Sequence, residues 1–422
     1  MTQGPIDLDQ LTPVVQQALN RSLGGVKIAI SGGHFGIDPG SQALNLWLEG
    51  VRLSRDDGEP VATFPVVAAS FSLSALLRGK MAPTRLVVQR PVLRFVRDEN
   101  GKFRLGLGEV DTEPASVSDL DQLAGPTRPD QPFGLMRRMT VRDATLVLDD
   151  RQTGRRWQAD RVDATAERTS EGLAGDLSMA VAVAERRPEF HAAYRYSRSD
   201  GKLDLVGQIG AIEPAKLASL APELQALEMA QFSVSGSLAT RLDLASGSTE
   251  GVRIDLRFGK GSIKSDLLPE GQLTLEQGSL HAVYAPESSQ LRLAKLELDL
   301  GSGSVFTVKG KIDDVTPALI VGNDRRSAPI SGELGLTLSD VPVKKLESLW
   351  PPALSRNGRR WVLANIHDGV LDEAAVRLDL EVDPMQRSAE IVSAHGSMRY
   401  HDATISYFRE LPPARKVSGT AT

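Results

Sequence analysis

Histidines and paired acids are the side chains in this sequence best able to hold a metal or move a proton. The six histidines are His34, His191, His281, His367, His395 and His401. A metal site needs several such donors converging at short spacing. His395 and His401 share strand parity, but no acidic residue stands beside them at ligand spacing, so both read as surface or strand-end histidines. The pairs Asp56-Asp57, Asp98-Glu99 and Asp149-Asp150 have the chemistry of an acid and a base. Each borders an expected strand end, where aspartate forms turns, and so reads as turn chemistry. No catalytic residue, metal ligand or cofactor site emerges.

Other motifs agree. The glycine-rich run 32–36 lies between two expected strands and reads as a turn rather than a phosphate cradle. Gly259-Lys260-Gly261-Ser262 lacks the upstream glycine of a P-loop, and no Gly-x-Ser-x-Gly elbow occurs. With no cysteine there is no disulfide, thiolate metal site or thiol nucleophile. Arg359-Arg360-Trp361 sets a basic pair beside a large aromatic. Its plain reading is a helix docked on a sheet edge by Trp361 with solvated arginines. Its functional reading is contact with phosphate head groups or a partner.

The elements that would position any site are strands. Val252, Ile254, Leu256 and Phe258 alternate with charged residues, as do Val376, Leu378, Leu380 and Val382. Phe232, Val234, Leu238, Leu242 and Leu244 keep the same period. A period of two places all these apolar side chains on one sheet face and the charges on the other. Helical pattern is scarce: one amphipathic segment over 8–19, and a turn of helix over 71–77. The expected fold is mostly β, an elongated, curled antiparallel sheet of groove or half-pipe form with a few short helices. Between Leu291 and Leu300 the leucines change parity, which requires a β-bulge near Ala294-Lys295.

The segment 109–131, rich in Asp, Pro, Ser, Thr and Gly, reads as a linker. An internal repeat relates 215–224 to 344–354 at an offset of 129 residues, and a second echo relates 278–284 to 396–400. Repeats of this kind imply units that bury their faces against neighbours. The resulting division is a β-rich N-terminal segment 1–103, a linker 104–133, a first groove unit 134–340 and a second, truncated unit 341–422.

Net charge is -5, and no basic stripe interleaved with aromatics is present, which argues against nucleic acid and against a chain clamped on an anionic membrane. No window reaches the roughly 18 apolar residues of a membrane helix, and residues 1–5 lack signal-peptide character.

Residues 4–8 with the following helix, 65–79 and 91–101 resemble the start of AsmA-like proteins. Residues 349–371, with Leu349-Trp350-Pro351-Pro352, Asn357-Gly358-Arg359-Arg360-Trp361-Val362 and Gly369-Val370-Leu371, resemble the central domain of YhdP-type, TamB-related proteins. The similarity covers most of the chain apart from the linker. It implies a bridge-like lipid transport protein of the Gram-negative envelope, periplasmic and anchored in the inner membrane by an N-terminal helix. Its partners would be phospholipid acyl chains, the inner and outer membranes and envelope proteins. The sequence departs from that pattern in having no anchor helix before Gly4 and in ending within a repeat, so it reads as cut off.

On this reading the lipid-binding residues are groove-lining: Phe232, Val234, Leu238, Val252, Ile254, Leu256, Phe258, Val376, Leu378 and Leu380. The alternative is an outer-membrane assembly or structural factor that binds proteins through sheet edges. A third reading, a periplasmic hydrolase on a β-scaffold, lacks its acid/base pair.

Overall fold

The computed structural model describes residues 6–7, 16–17, 20, 26–38, 43–55, 60–78, 83–97, 103–107, 125, 134–151, 154–181, 187–218, 222–244, 246, 248–266, 268–315, 330–352, 354–383, 388–408 and 411–422. Strand dominates them, and the helices are few and short. Most of the expected helix over 8–19 lies outside the described residues, though 16–17 and 20 are helical. So do the acid pairs at 56–57 and 98–99 and most of the expected linker 104–133, of which 104–107 are strand and Gly125 is described. The chain divides into two compact units, 1–207 with 241–248, and 208–240 with 249–422.

The first unit contains β1 (Ile6–Asp7), β2 (Val26–Ala29), β3 (Gly32–Asp38), β4 (Ala43–Arg55), β5 (Pro60–Ser72), helix α1 (Leu73–Leu76), β6 (Pro83–Gln89), β7 (Val92–Arg97), β8 (Phe103–Leu107), β9 (Arg138–Asp150), β10 (Arg155–Arg168), β11 (Gly172–Val181) and β12 (Glu189–Ser197). Most neighbours pair antiparallel. The exception is β9, which runs parallel to both β6 and β7. Pro91, which has no N–H to give a ladder, sits at the break between those two strands. The core beneath β4 and β5 is fully covered: Leu46, Val51 and Phe71 are buried, with Val67 and Val88 packed among them.

The glycine-rich run 32–36 is not a turn. It lies within β3, where a Cβ on Gly33 would come 2.4 Å from the Trp47 carbonyl oxygen. Close approach of β4, not chain reversal, requires that glycine. Asp149 is likewise no turn residue: it is in β9 and accepts a 2.7 Å charge-assisted bond from Arg94 on β7.

Left-handed backbone occurs at Gly50 in β4, at Arg90 just after β6, at Asp143 in β9 and at Arg161 in β10. The register places Gly50 and Arg90 at matching positions flanking Pro65, and Arg90 beside Asp143. The β9–β10 register shifts at the same level, next to Arg161. Such a row bends a sheet across several strands at once.

β13 (Lys202–Ile212) and β15 (Val234–Asp243) have residues in both units, with α2 (Pro214–Leu217), a 3-10 stretch at Pro222–Met229 and β14 (Ala230–Gln231) between them. The second unit continues with β16 (Thr249–Phe258), β17 (Gly261–Lys264), β18 (Gln272–Leu275), β19 (Gln277–Ala285), β20 (Gln290–Asp299), β21 (Val305–Ile312), β22 (Ile330–Pro342), α3 (Leu346–Leu349), α4 (Arg356–Asn365), β23 (Ile366–Asp383), β24 (Ser388–Ile405) and β25 (Ala414–Ala421). Here β16, β19, β20, β21, β22, β23, β24 and β25 follow one another as antiparallel neighbours. The strands β14, β17 and β18 form a small separate sheet. Both copies of the repeated segment carry a short helix, α2 and α3.

The bulge demanded by the leucine pattern is present. His281 pairs with Lys295 and the next residue, Ala282, with Leu293, leaving Ala294 as the extra residue. The β20–β21 register shifts at the same place, between Leu293 and Leu296.

Candidate functional site, an apolar sheet face

Because partners in an antiparallel ladder share a face, the register of the second unit can be followed residue by residue across it. Leu256 faces Leu280, then Leu296, Val308, Leu336, Val376 and Gly396. Beside this row run Ile254, Ala282, Leu293, Gly310, Leu334, Leu378 and Ala394. A third row joins Val252, Tyr284, Leu291, Ile312, Gly332 and Leu380, and a fourth joins Phe258, Gly278, Leu298, Phe306, Leu338 and Ala374. The result is one unbroken apolar floor, crossing seven strands, or about 29 Å at the usual strand spacing.

The opposite face of the same strands is charged. Lys311 bridges Glu333 at 3.0 Å, Lys295 bridges Glu297 at 2.5 Å, and His281 Nδ1 meets Asp255 Oδ1 at 2.6 Å. The Lys311 ammonium is held above the usual lysine range, chiefly by its hydrogen bond to Glu333.

Two ends of the floor are sealed and the middle is not. At one end α3, α4 and the preceding turn lie over it: Val341, Val343, Leu346, Val362 and Leu371 form a buried cluster that takes in Leu338, Ala374 and Met398. At the other end Tyr284, Val315 and Ile330 are buried together, and the Tyr284 hydroxyl donates to the Val315 carbonyl at 3.1 Å. Between them Val308, Leu378 and Ala282 are buried, but Ile254, Leu256, Leu280, Leu293, Leu296, Leu334, Leu336 and Val376 are only half-buried. A second sheet stacked over this face at sandwich distance would bury whole rows.

All ten groove-lining candidates lie in the second unit. Seven of them belong to the floor: Val252, Ile254, Leu256 and Phe258 at its β16 side, and Val376, Leu378 and Leu380 five strands further on, on β23. The Phe232 ring meets that of Phe258 at 5.1 Å, tilted by 53°. Val234 is half-buried on β15, whereas Leu238 is 37% exposed. Reading strand by strand missed the residues that join the two groups, among them Leu280, Leu296, Val308, Leu334 and Leu336. Their alternation is equally regular, and only the register shows that it belongs to the same face.

Two histidines have acidic neighbours that sequence spacing hid, because the partners lie on adjacent strands: His401 Nδ1 meets Asp372 Oδ1 at 2.5 Å, and His281 Nδ1 meets Asp255 Oδ1 at 2.6 Å. His191 lies 3.6 Å from Glu189, two residues earlier on its own strand. Each makes a pair, and among the described residues no three potential ligands cluster as a metal site. His395 and His401, six residues apart on β24, are separated by about 20 Å of strand and cannot share an ion.

The helix α4 is docked differently from its plain reading. Val362 is the buried anchor, while Trp361 stays half exposed to solvent. Arg359 is not free in water: it donates from Nε to the Trp350 carbonyl at 2.9 Å and from Nη2 to the Glu347 carbonyl at 3.1 Å. Among the described residues no helix is long and apolar enough to cross a membrane. Comparison with protein-family profiles, with curated proteins and with solved structures gave no match for this chain.

Proposed function

We propose that this chain is a non-enzymatic lipid-binding protein whose apolar floor holds phospholipid acyl chains. The observation that carries the reading is the half-buried middle of an otherwise continuous apolar face. Leucines left partly in water there gain about 0.8 kcal/mol per CH₂ group that a bound chain buries against them. An acyl chain of one bilayer leaflet is about 15 Å long, so the floor has room for it. Head groups would remain in solvent and need few fixed polar ligands.

The resemblance to AsmA-like and YhdP-type proteins extends the proposal. The chain would then be part of a periplasmic bridge moving phospholipid between inner and outer membrane, in a protein anchored in the inner membrane. The test is native mass spectrometry of gently purified protein: bound phospholipid supports the reading, and a lipid-free, monodisperse protein sinks it.

One observation favours the alternative, binding of envelope proteins through a sheet edge. β25 pairs only with 398–405 of β24. Residues 388–397 therefore have no second strand partner among the described residues, and Ile391 and Val392 there are 45% and 59% exposed. Strand addition at such an edge is a common recognition mode.

A further inference from the structure

The sealed helical end of the floor carries an outer surface that the floor does not use. Trp361 is 50% exposed on α4, and Tyr407, Phe408 and Leu411 are 58%, 59% and 50% exposed on the segment after β24. These are four of the largest apolar side chains left in water, and hydrogen bonds stitch their two segments together. The Ser406 N–H donates to the Asn365 carbonyl at 2.8 Å, and the Asn365 amide donates to the Trp361 carbonyl at 2.7 Å. His367 Nε2 meets the Ser406 hydroxyl at 3.1 Å.

Basic residues gather at the same place. Residues 343–365 carry five, Lys344, Lys345, Arg356, Arg359 and Arg360, against the single acid Glu347, within a chain whose net charge is -5. Asp368, the next acid, is held by Lys344 at 2.9 Å. The register brings more: Ile366 faces Ile405, and Ile405 faces Ala414, so exposed Arg415 and Lys416 follow at this end of the sheet. In these contacts Arg359 bonds to neutral carbonyls, not to an acid.

We propose that this surface docks the chain onto an anionic lipid bilayer. Amphipathic rings settle at the head-group level of a bilayer, and each nearby cation adds attraction to an anionic leaflet. The unfavourable net charge of the whole chain does not oppose this, because attraction falls off within a Debye length and only the local charge is felt. A protein partner for the same patch would not need this sign of charge. The proposal stands independently of lipid carriage on the floor, since a surface can dock whether or not the floor is occupied.

The experiment is flotation of the full chain with vesicles of phosphatidylcholine alone or with about one third phosphatidylglycerol. Binding is expected only to the anionic vesicles and should be lost at about 1 M salt, where the Debye length falls to about 3 Å. The double variant Trp361→Ser/Phe408→Ser should bind about tenfold less or weaker still, with an unchanged thermal midpoint. If that variant fails to fold, the fluorescence of wild type and Trp361→Phe on vesicles decides: a blue shift seen only in wild type supports docking. Absent flotation of folded wild type, equal flotation of the double variant, or a dimer that covers the patch overturns it. Lipid found by mass spectrometry without flotation removes docking and leaves carriage standing; flotation of lipid-free protein does the reverse.

Discussion

Leu293 and Leu296 stand on the same face of β20 although three positions separate them. Their partners show it: Leu293 pairs with Ala282 and Gly310, and Leu296 with Leu280 and Val308, each two residues apart on its own strand. The bulge at Ala294 is what keeps four leucines of one strand, Leu291, Leu293, Leu296 and Leu298, available to one floor.

Deleting Ala294 should therefore leave the face in place, because Leu293 and Leu296 then stand two positions apart like their partners. Deleting Glu297, in the regular part of the same strand, would instead turn Leu298 to the charged side, and leaving that leucine unburied costs about 1.5–3 kcal/mol. The expected result is a thermal midpoint lowered far more by the second deletion than by the first, followed by circular dichroism. Inserting an alanine beside Ser302, in the β20–β21 turn, should be tolerated, since no face depends on the parity of that turn.

The sealed end and the open middle should respond differently to truncation. Leu371 is 3% exposed beneath α4, so Leu371→Ala leaves a cavity and should destabilise by about 2–5 kcal/mol. Leu296→Ala removes the same atoms from a half-buried position, and the loss should be nearer 1 kcal/mol. Urea midpoints of the two variants measure the difference directly. Equal losses would mean that the middle of the floor is covered in solution.

A charge placed on the floor separates a binding surface from a core. Leu256→Asp and Val234→Asp, both at half-buried positions, are expected to fold and to lose bound phospholipid. Leu378→Asp, at a position 7% exposed, should fail to fold because it buries an unpaired carboxylate. Lipid content by mass spectrometry beside a thermal melt reads both effects. If Leu256→Asp also unfolds the protein, the β16 side of the floor is ordinary core.

The alternation of apolar residues carried most of this fold, since it needs only the geometry of a strand. The parity change between Leu293 and Leu296 placed a bulge near Ala294-Lys295, and the register puts it at Ala294. Alternation was silent on coverage: Leu336 and Val341 both lie on β22, yet one is half-open and the other is sealed by α3 and α4. Coverage depends on distant segments, which leave no mark on the strand itself. Gly33 was misread as a turn because its requirement comes from the Trp47 carbonyl on another strand. Trp361 was expected to dock its helix because it is large, but the face that docks is set by Val362 and Leu363, which meet the floor.

Tyr194 links the first unit to alkaline pH. Its hydroxyl donates to the Thr165 carbonyl at 2.9 Å, and burial first, then the Asp176 charge, push its pKa above the ordinary phenol value. A group whose pKa is raised on folding keeps its protonated form better in the folded chain. Its contribution is full below about pH 10, the unfolded value, and is lost as the pH rises from there through the folded value. Wild type should therefore lose stability through this residue as the pH rises above about 10. Tyr194→Phe should start about 1 kcal/mol lower at neutral pH, from the missing hydrogen bond, and then decline less steeply. Urea midpoints across that range, with tyrosinate absorbance followed in parallel, test both slopes. Parallel slopes for the two proteins would show that the Tyr194 phenol titrates alike in the folded and unfolded chain.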